Sequence, residues 1–147
     1  MAAELLMMDD YLAQSLTRRP RVVDARVVKG AIDPAVIASL DEAWEEGDAD
    51  LVVELIDLYV GDAPQWVEAM RAAAAGDDAT VLKRAAHTLK GSSGSLGVRQ
   101  VAETCSLLEQ LNDSDSAARV EELLQQLDRE FATARAALAA ERMRRVA

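Results

Sequence analysis

Apolar side chains in this chain recur three and four residues apart, and the alternation typical of strands is absent. That spacing puts them on one face of a helix. Ile32, Val36, Ile37, Leu40 and Trp44 form one such stripe. Val52, Leu55, Ile56, Tyr59, Val60 and Ala63 form the next, continued by Trp66, Val67 and Met70 to about Ala75. A third helix runs from about Ala79 through His87 to near Leu96-Gly97. A fourth carries Val98, Val101, Ala102, Cys105, Leu108 and Leu111, and a fifth Val120, Leu124, Leu127, Phe131, Ala134 and Leu138.

The punctuation agrees. Asp33-Pro34 is a helix start, with an N-cap and a proline in the first turn. Gly47 ends that helix, and Asp48 or Asp50 caps the next. Pro64 is expected to kink or restart the second helix. Gly76-Asp77-Asp78 is a turn with a new cap, and the stretch from Asn112 to Ser116 is a polar loop with capping residues. Long helices joined by short connections predict an all-α fold, an antiparallel four-helix bundle. The amphipathic segment from Glu4 to Leu16 adds an N-terminal helical segment, and Thr17 to Gly30 reads as an irregular connector. Residues 1–31 are thus an N-terminal extension, 32–142 the bundle, and 143–147 a basic tail.

The 147 residues suit one domain with a sizeable core. The net charge of −10 argues against a nucleic-acid partner and against an anionic membrane surface. The single cysteine, Cys105, excludes an intramolecular disulfide and fits a reducing compartment. No run is long and apolar enough to span a bilayer, and Met1 to Asp10 carries no basic side chain, so no secretory signal is expected. The expected location is cytoplasmic.

His87 is the chain's one histidine, and it sits at the edge of a run that ill suits a helix. Gly91, Ser92, Ser93, Gly94, Ser95 and Gly97 follow it closely, and each interior glycine costs a helix about 1 kcal/mol relative to alanine. Leu82, Ala85, Ala86, Leu89, Ser93 and Leu96 mark the core stripe, which leaves His87 on the other side with Lys83, Arg84, Lys90, Gly91 and Gly94 as helical neighbours. A cationic strip on an acidic protein suits an anion. Cations around an imidazole also favour its neutral, nucleophilic form. If the ring takes a phosphoryl group, Lys90 is placed to balance the added charge, while Gly91 and Gly94 clear the approach. The same residues also fit an ordinary surface histidine on a solvated face, with the Gly/Ser run serving close helix packing. Both readings stay open on these residues alone. A partner surface would include Lys83, Arg84, Gly91 and Gly94, with Ala86 and Leu96 at its margin.

Elsewhere the signals are structural. Trp44 and Trp66 read as core or half-buried spacers and Cys105 as a small buried hydrophobe. The acidic pairs Asp9-Asp10 and Asp48 to Asp50 have no partner histidine, so no metal site is expected.

The run His87-x-Leu89-Lys90-Gly91-Ser92-Ser93-x-x-Leu96-Gly97 resembles the motif of histidine-containing phosphotransfer (HPt) domains, with no departure inside it. The flanks, with Tyr59, Asp62, Ala63 and Pro64 before the motif and Ala102 to Leu111 after it, resemble the family's neighbouring helices, so the likeness covers about Ile32 to Leu138. It implies a four-helix bundle exposing the phosphoacceptor His87 on its second helix. It implies that the ring accepts a phosphoryl group from a receiver-domain aspartyl phosphate and passes it to another receiver aspartate, with Lys90 as the basic partner. By the same resemblance Glu109 is where a polar residue would hold the inner ring nitrogen's proton. The implied protein is a phosphocarrier, not an enzyme. It needs no cofactor of its own, since Mg²⁺ belongs to the receiver, and no nucleotide loop or metal cluster is present in the sequence. Its expected partners are response-regulator receivers or a hybrid histidine kinase, and it is expected to be a monomer.

Two rivals remain. One is a helical adaptor that binds a receiver or kinase without carrying phosphate; the intact histidine speaks against it. The other is a histidine-kinase dimerisation domain, which usually has an acidic residue directly after the histidine, where this chain has Thr88.

Overall fold

A computed structural model describes residues 30–43, 50–112 and 114–147. The expected helix from Glu4 to Leu16, the connector up to residue 29, and the expectations for Trp44, Gly47 and Asp48 fall outside the described residues. Within them are five helices and no strand: α1 Pro34–Ala43, α2 Leu51–Ala75, α3 Ala79–Ser95, α4 Arg99–Glu109 and α5 Ala117–Val146.

Short polar side chains set most of the helix starts. Asp33 Oδ1 accepts from the Ala35 amide at 3.0 Å, Asp50 from Val52 and Val53, Asp78 from Val81 and Ser116 from Arg119. Each such cap satisfies amides that the first turn leaves without a partner, and contributes about 1 kcal/mol. Only α4 begins without a side-chain cap. Pro64 does not restart α2, which runs unbroken through it. One missing amide hydrogen bond is tolerated where Ala63 and Val67, on either side of it, are fully packed.

Helices α2 to α5 close a ring in which α2 and α4 each pack on both α3 and α5. Cross-links show that α2 and α5 run antiparallel: Asp57 meets Arg142, and Arg71 meets Asp128. The core is a column of aliphatic side chains, with Ile56, Met70, Leu89, Leu108, Leu127 and Leu138 all at most 2% exposed. Burying each of these fully stabilises the fold by roughly 1.5–3 kcal/mol. Residues 143–146, expected as part of a basic tail, are the last turn of α5. There the Arg145 side chain, 14% exposed, ties α1 to the bundle through Asp41 and also reaches Asp50 and Glu141. Its hydrogen bond holds the Asp41 carboxyl below the usual carboxylate range.

At the other end of α3 the chain turns on Gly97, whose φ of +76° lies in the left-handed region. A Cβ there would stand 3.0 Å from Val36 Cβ and 3.1 Å from the Asp33 backbone. The Gly97 carbonyl accepts the Asp33 amide at 2.8 Å, so α1 rests directly on this turn. Gly97→Ala therefore meets both strain and contact, and should lower unfolding free energy by about 1–3 kcal/mol. Gly91→Ala, in open space within α3, should be neutral or raise it by about 0.5–1 kcal/mol. Chemical denaturation of both variants checks the contrast, and equal effects would refute it.

Candidate functional site

The site begins with the narrow buried stripe of α3. Leu82, Ala85, Ala86, Leu89 and Ser93 are all buried. Turning this stripe inward leaves His87 on the outer face, its side chain 75% exposed. The Gly/Ser run stays helical because its hydroxyls are satisfied. Thr88 donates to the Arg84 carbonyl at 3.1 Å, Ser92 to Thr88 at 2.9 Å and Ser95 to Gly91 at 3.0 Å. Each is a bond to the carbonyl four residues back. Ser93 is the exception: it is fully buried and hydrogen-bonds the Tyr59 hydroxyl across α2 at 2.8 Å. Burial pushes the Tyr59 hydroxyl's pKa well up and keeps it neutral. The one sequence signal of this pair is a tyrosine in an otherwise apolar stripe.

Gly91 and Gly94 are exposed, and a Cβ at either would meet nothing within 4 Å. Close helix packing therefore does not explain them. They leave bare backbone on the same helix as the imidazole. Lys83 and Arg84 are exposed one turn before His87. Neither makes an ion pair among the described residues. Ala86 and Leu96 do not flank a partner surface as expected: they are 0% and 2% exposed and belong to the core. The helical stripe that contains both had already assigned them there, and nearness in sequence to His87 misplaced them.

Glu109, the last residue of α4, joins the three-residue constellation. Its Oε1 lies 2.8 Å from His87 Nδ1, and Lys90 Nζ donates to its Oε2 at 3.3 Å. The Glu109 side chain is largely sheltered, at 22% exposure, against 38% for that of Lys90. A carboxylate can only accept, so Nδ1 carries the proton of this contact, and in the neutral ring Nε2 holds the lone pair. That outer nitrogen has no hydrogen-bond partner among the described residues. The arrangement thus offers an oriented nucleophile with a cation one turn away.

Among the described residues two surface hollows stand out and neither is lined by His87: one is lined by Thr104 and Glu130, the other by Asp78, Lys83 and Leu124. An exposed nucleophile on a convex helix suits a macromolecular partner that brings its own pocket. Among the described residues no cluster of three or more His, Cys, Asp or Glu side chains is placed to hold a metal, and no helix is long and apolar enough to cross a membrane.

Residues 54–144, more than half of the chain, match the family model of the Hpt domain. Histidine-containing phosphotransfer protein 5 of Arabidopsis thaliana is 29% identical over 97 residues, covering 64% of this chain and 62% of that protein. The match therefore spans less than two thirds of the plant relative. The crystal structure of histidine-containing phosphotransfer protein B from Pseudomonas aeruginosa PAO1 is 34% identical, with a TM-score of 0.65, over 78% of this chain and 96% of that one.

Cys105 lies one turn before Glu109 and is fully buried. Burial, then the charges of Glu130 and Glu109, push its thiol up to about 12. It should resist thiol reagents at about pH 8 in the native protein and react on denaturation. Fast labelling of the native state, followed by absorbance, would contradict this burial.

Proposed function

The chain belongs to the Hpt domain family, and on that premise we propose that it is a phosphocarrier, taking phosphoryl groups on His87 Nε2. The donor is an aspartyl phosphate of a receiver domain, and the acceptor is an aspartate of another receiver in a two-component phosphorelay. What carries the reading is the His87–Glu109–Lys90 arrangement: a histidine whose inner nitrogen is held by a carboxylate and whose outer nitrogen faces solvent.

Phosphoryl transfer is mainly positioning and charge stabilisation. Nε2 attacks phosphorus, the bond from phosphorus to the aspartyl oxygen breaks, and its electron pair leaves with the receiver carboxylate. Lys90 then neutralises phosphoryl oxygens. Gly91 and Gly94 leave room for the receiver surface, and Lys83 and Arg84 attract its acidic phosphorylation site. Glu109 fixes the ring's tautomer and orientation. Mg²⁺ is supplied by the receiver. We assign the domain no kinase activity of its own, a monomeric state and a cytoplasmic location, in keeping with its acidic charge and lone buried cysteine.

The test is transfer from a panel of phosphorylated receivers, or from the receiver of a hybrid kinase. Wild type should acquire acid-labile label, and His87→Ala none. Lys90→Ala should slow labelling by about tenfold to a hundredfold, the worth of a charge-assisted hydrogen bond. Binding without label across the whole panel would replace this reading with a phosphate-free adaptor.

A further inference from the structure

We propose that the groove between α4 and α5 holds a segment of this same chain, the basic stretch from Arg18 to Lys29, as a strap on the side of α4 that His87 leaves unused. The inference concerns a second surface and stands apart from the phosphocarrier reading.

Two hollows follow one another along the groove. The first is lined by Glu103, Thr104, Leu107 and Glu130 and by no cation. Leu107 lies open in it, 41% exposed. The second begins one turn further on, and its floor is apolar, with Leu82, Leu111, Val120 and Leu124 buried or half-buried. Its rim carries Asp77, Asp78, Asp115 and Glu121 against two cations, of which Arg71 is already paired with Asp128 and Lys83 stands on the α3 wall. Glu103, Glu121 and Glu130 make no ion pair among the described residues. A ligand for this groove must therefore mix apolar side chains with cations.

One stretch outside the described residues has that composition. Arg18, Arg19, Arg21, Arg26 and Lys29 make it basic within a chain of net charge −10, and only Asp24 opposes them. Arg-Val-Val occurs in it twice, at residues 21–23 and 26–28. The other candidate, Glu4 to Leu16, has three acidic side chains and no cation, so the groove would repel it. The basic stretch also joins the bundle at the right place. The Asp33 amide donates to the Gly97 carbonyl, and the Asp33 carboxylate lies 3.9 Å from Arg99 in the first turn of α4. Glu103 and Leu107 follow Arg99 at four-residue steps on one face of the helix. The 11 residues of α4 span about 16 Å. Arg26 stands seven residues before Asp33, an extended reach of about 23 Å. Arg26-Val27-Val28 thus reaches Glu103 and Leu107. Arg21-Val22-Val23, about 16 Å further out, reaches the second hollow.

Exposed ion pairs contribute little by themselves. A tether of this length, however, supplies an effective concentration on the order of millimolar. A contact too weak to hold a separate peptide is then populated within the chain. Its effect falls on α4, the shortest of the four helices around the core and the one that starts without a side-chain cap. Leu107 and Glu109 are two residues apart, about 200° round the helix. The strap therefore steadies the helix that carries Glu109 while His87 stays open.

A nitroxide on Ala25→Cys in the full chain tests this, because Cys105 is fully buried and escapes labelling. The amide NMR signals of Glu103, Leu107, Val120 and Glu121 should broaden at low salt. They should largely recover at about 1 M salt, where the screening length is about 3 Å. Glu103→Lys/Glu121→Lys reverses charge at two exposed positions and should abolish the broadening; adding Arg21→Glu and Arg26→Glu should restore it. Without the nitroxide, trypsin should cut after Arg21 and Arg26 about tenfold more slowly in wild type than in Glu103→Lys/Glu121→Lys, since cleavage follows the open population. Equal broadening with the nitroxide and the ¹⁵N label on different molecules would replace the strap with an exchange between two copies. Unchanged groove amides at low salt, broadening on α2 or α3 instead, or equal tryptic rates would overturn the inference.

Discussion

Burial of one narrow stripe of α3 is the constraint on which the site depends. Ala86 and Leu89 are wholly inaccessible, and they flank His87 in sequence on the opposite side of the helix. A helix turns about 100° per residue, so fixing those two side chains inward fixes His87 outward. The small Ala85, Ala86 and Ser93 let α2 and α4 come close, and the Tyr59–Ser93 hydrogen bond pins α2 against α3 at the glycine-rich half. An unpaired hydroxyl in that position would cost about 1–3 kcal/mol, so the pair also disfavours shifted alternatives.

That packing brings α4 beside α3 in the register that delivers Glu109 to His87. The two residues are 22 apart in sequence, and the turn between their helices is held by Gly97. The turn is in turn covered by α1, through the Asp33 amide and Val36. Arg145 reaches α1 from the far end of the chain, through Asp41. The termini of the described bundle therefore meet over the end of the fold where α3 and α4 reverse. His87 itself stays clear of this cap, on the open face.

Local chemistry made most helix boundaries readable. Asp50, Asp78 and Ser116 each stand as a capping side chain ahead of an apolar repeat, and each caps in the structure. The weaker readings shared one cause, which is that sequence shows neighbours along the chain and only indirectly those across it. Pro64 suggests a kink or a restart because its missing amide is a local defect, whereas the packing that carries the helix through it without a restart is not local. Ala86 and Leu96 seemed to border the histidine because they are near it in the chain, yet helical phase carries them inside. Gly91 and Gly94 fit close packing or clear approach on the sequence alone, and the empty space above them removes the first.

The sequence by itself determined the all-helical class, the helix order and the candidate nucleophile with its basic neighbour, because helical periodicity, caps and a continuous motif all act within a few residues. The Hpt resemblance pointed to Glu109. Tertiary structure decided what lies across helices: Tyr59 bonded to Ser93, α1 seated on Gly97, and one carboxylate shared by His87 and Lys90. Those contacts depend on the register between helices, which the summed packing of the core sets and no single stretch of sequence encodes.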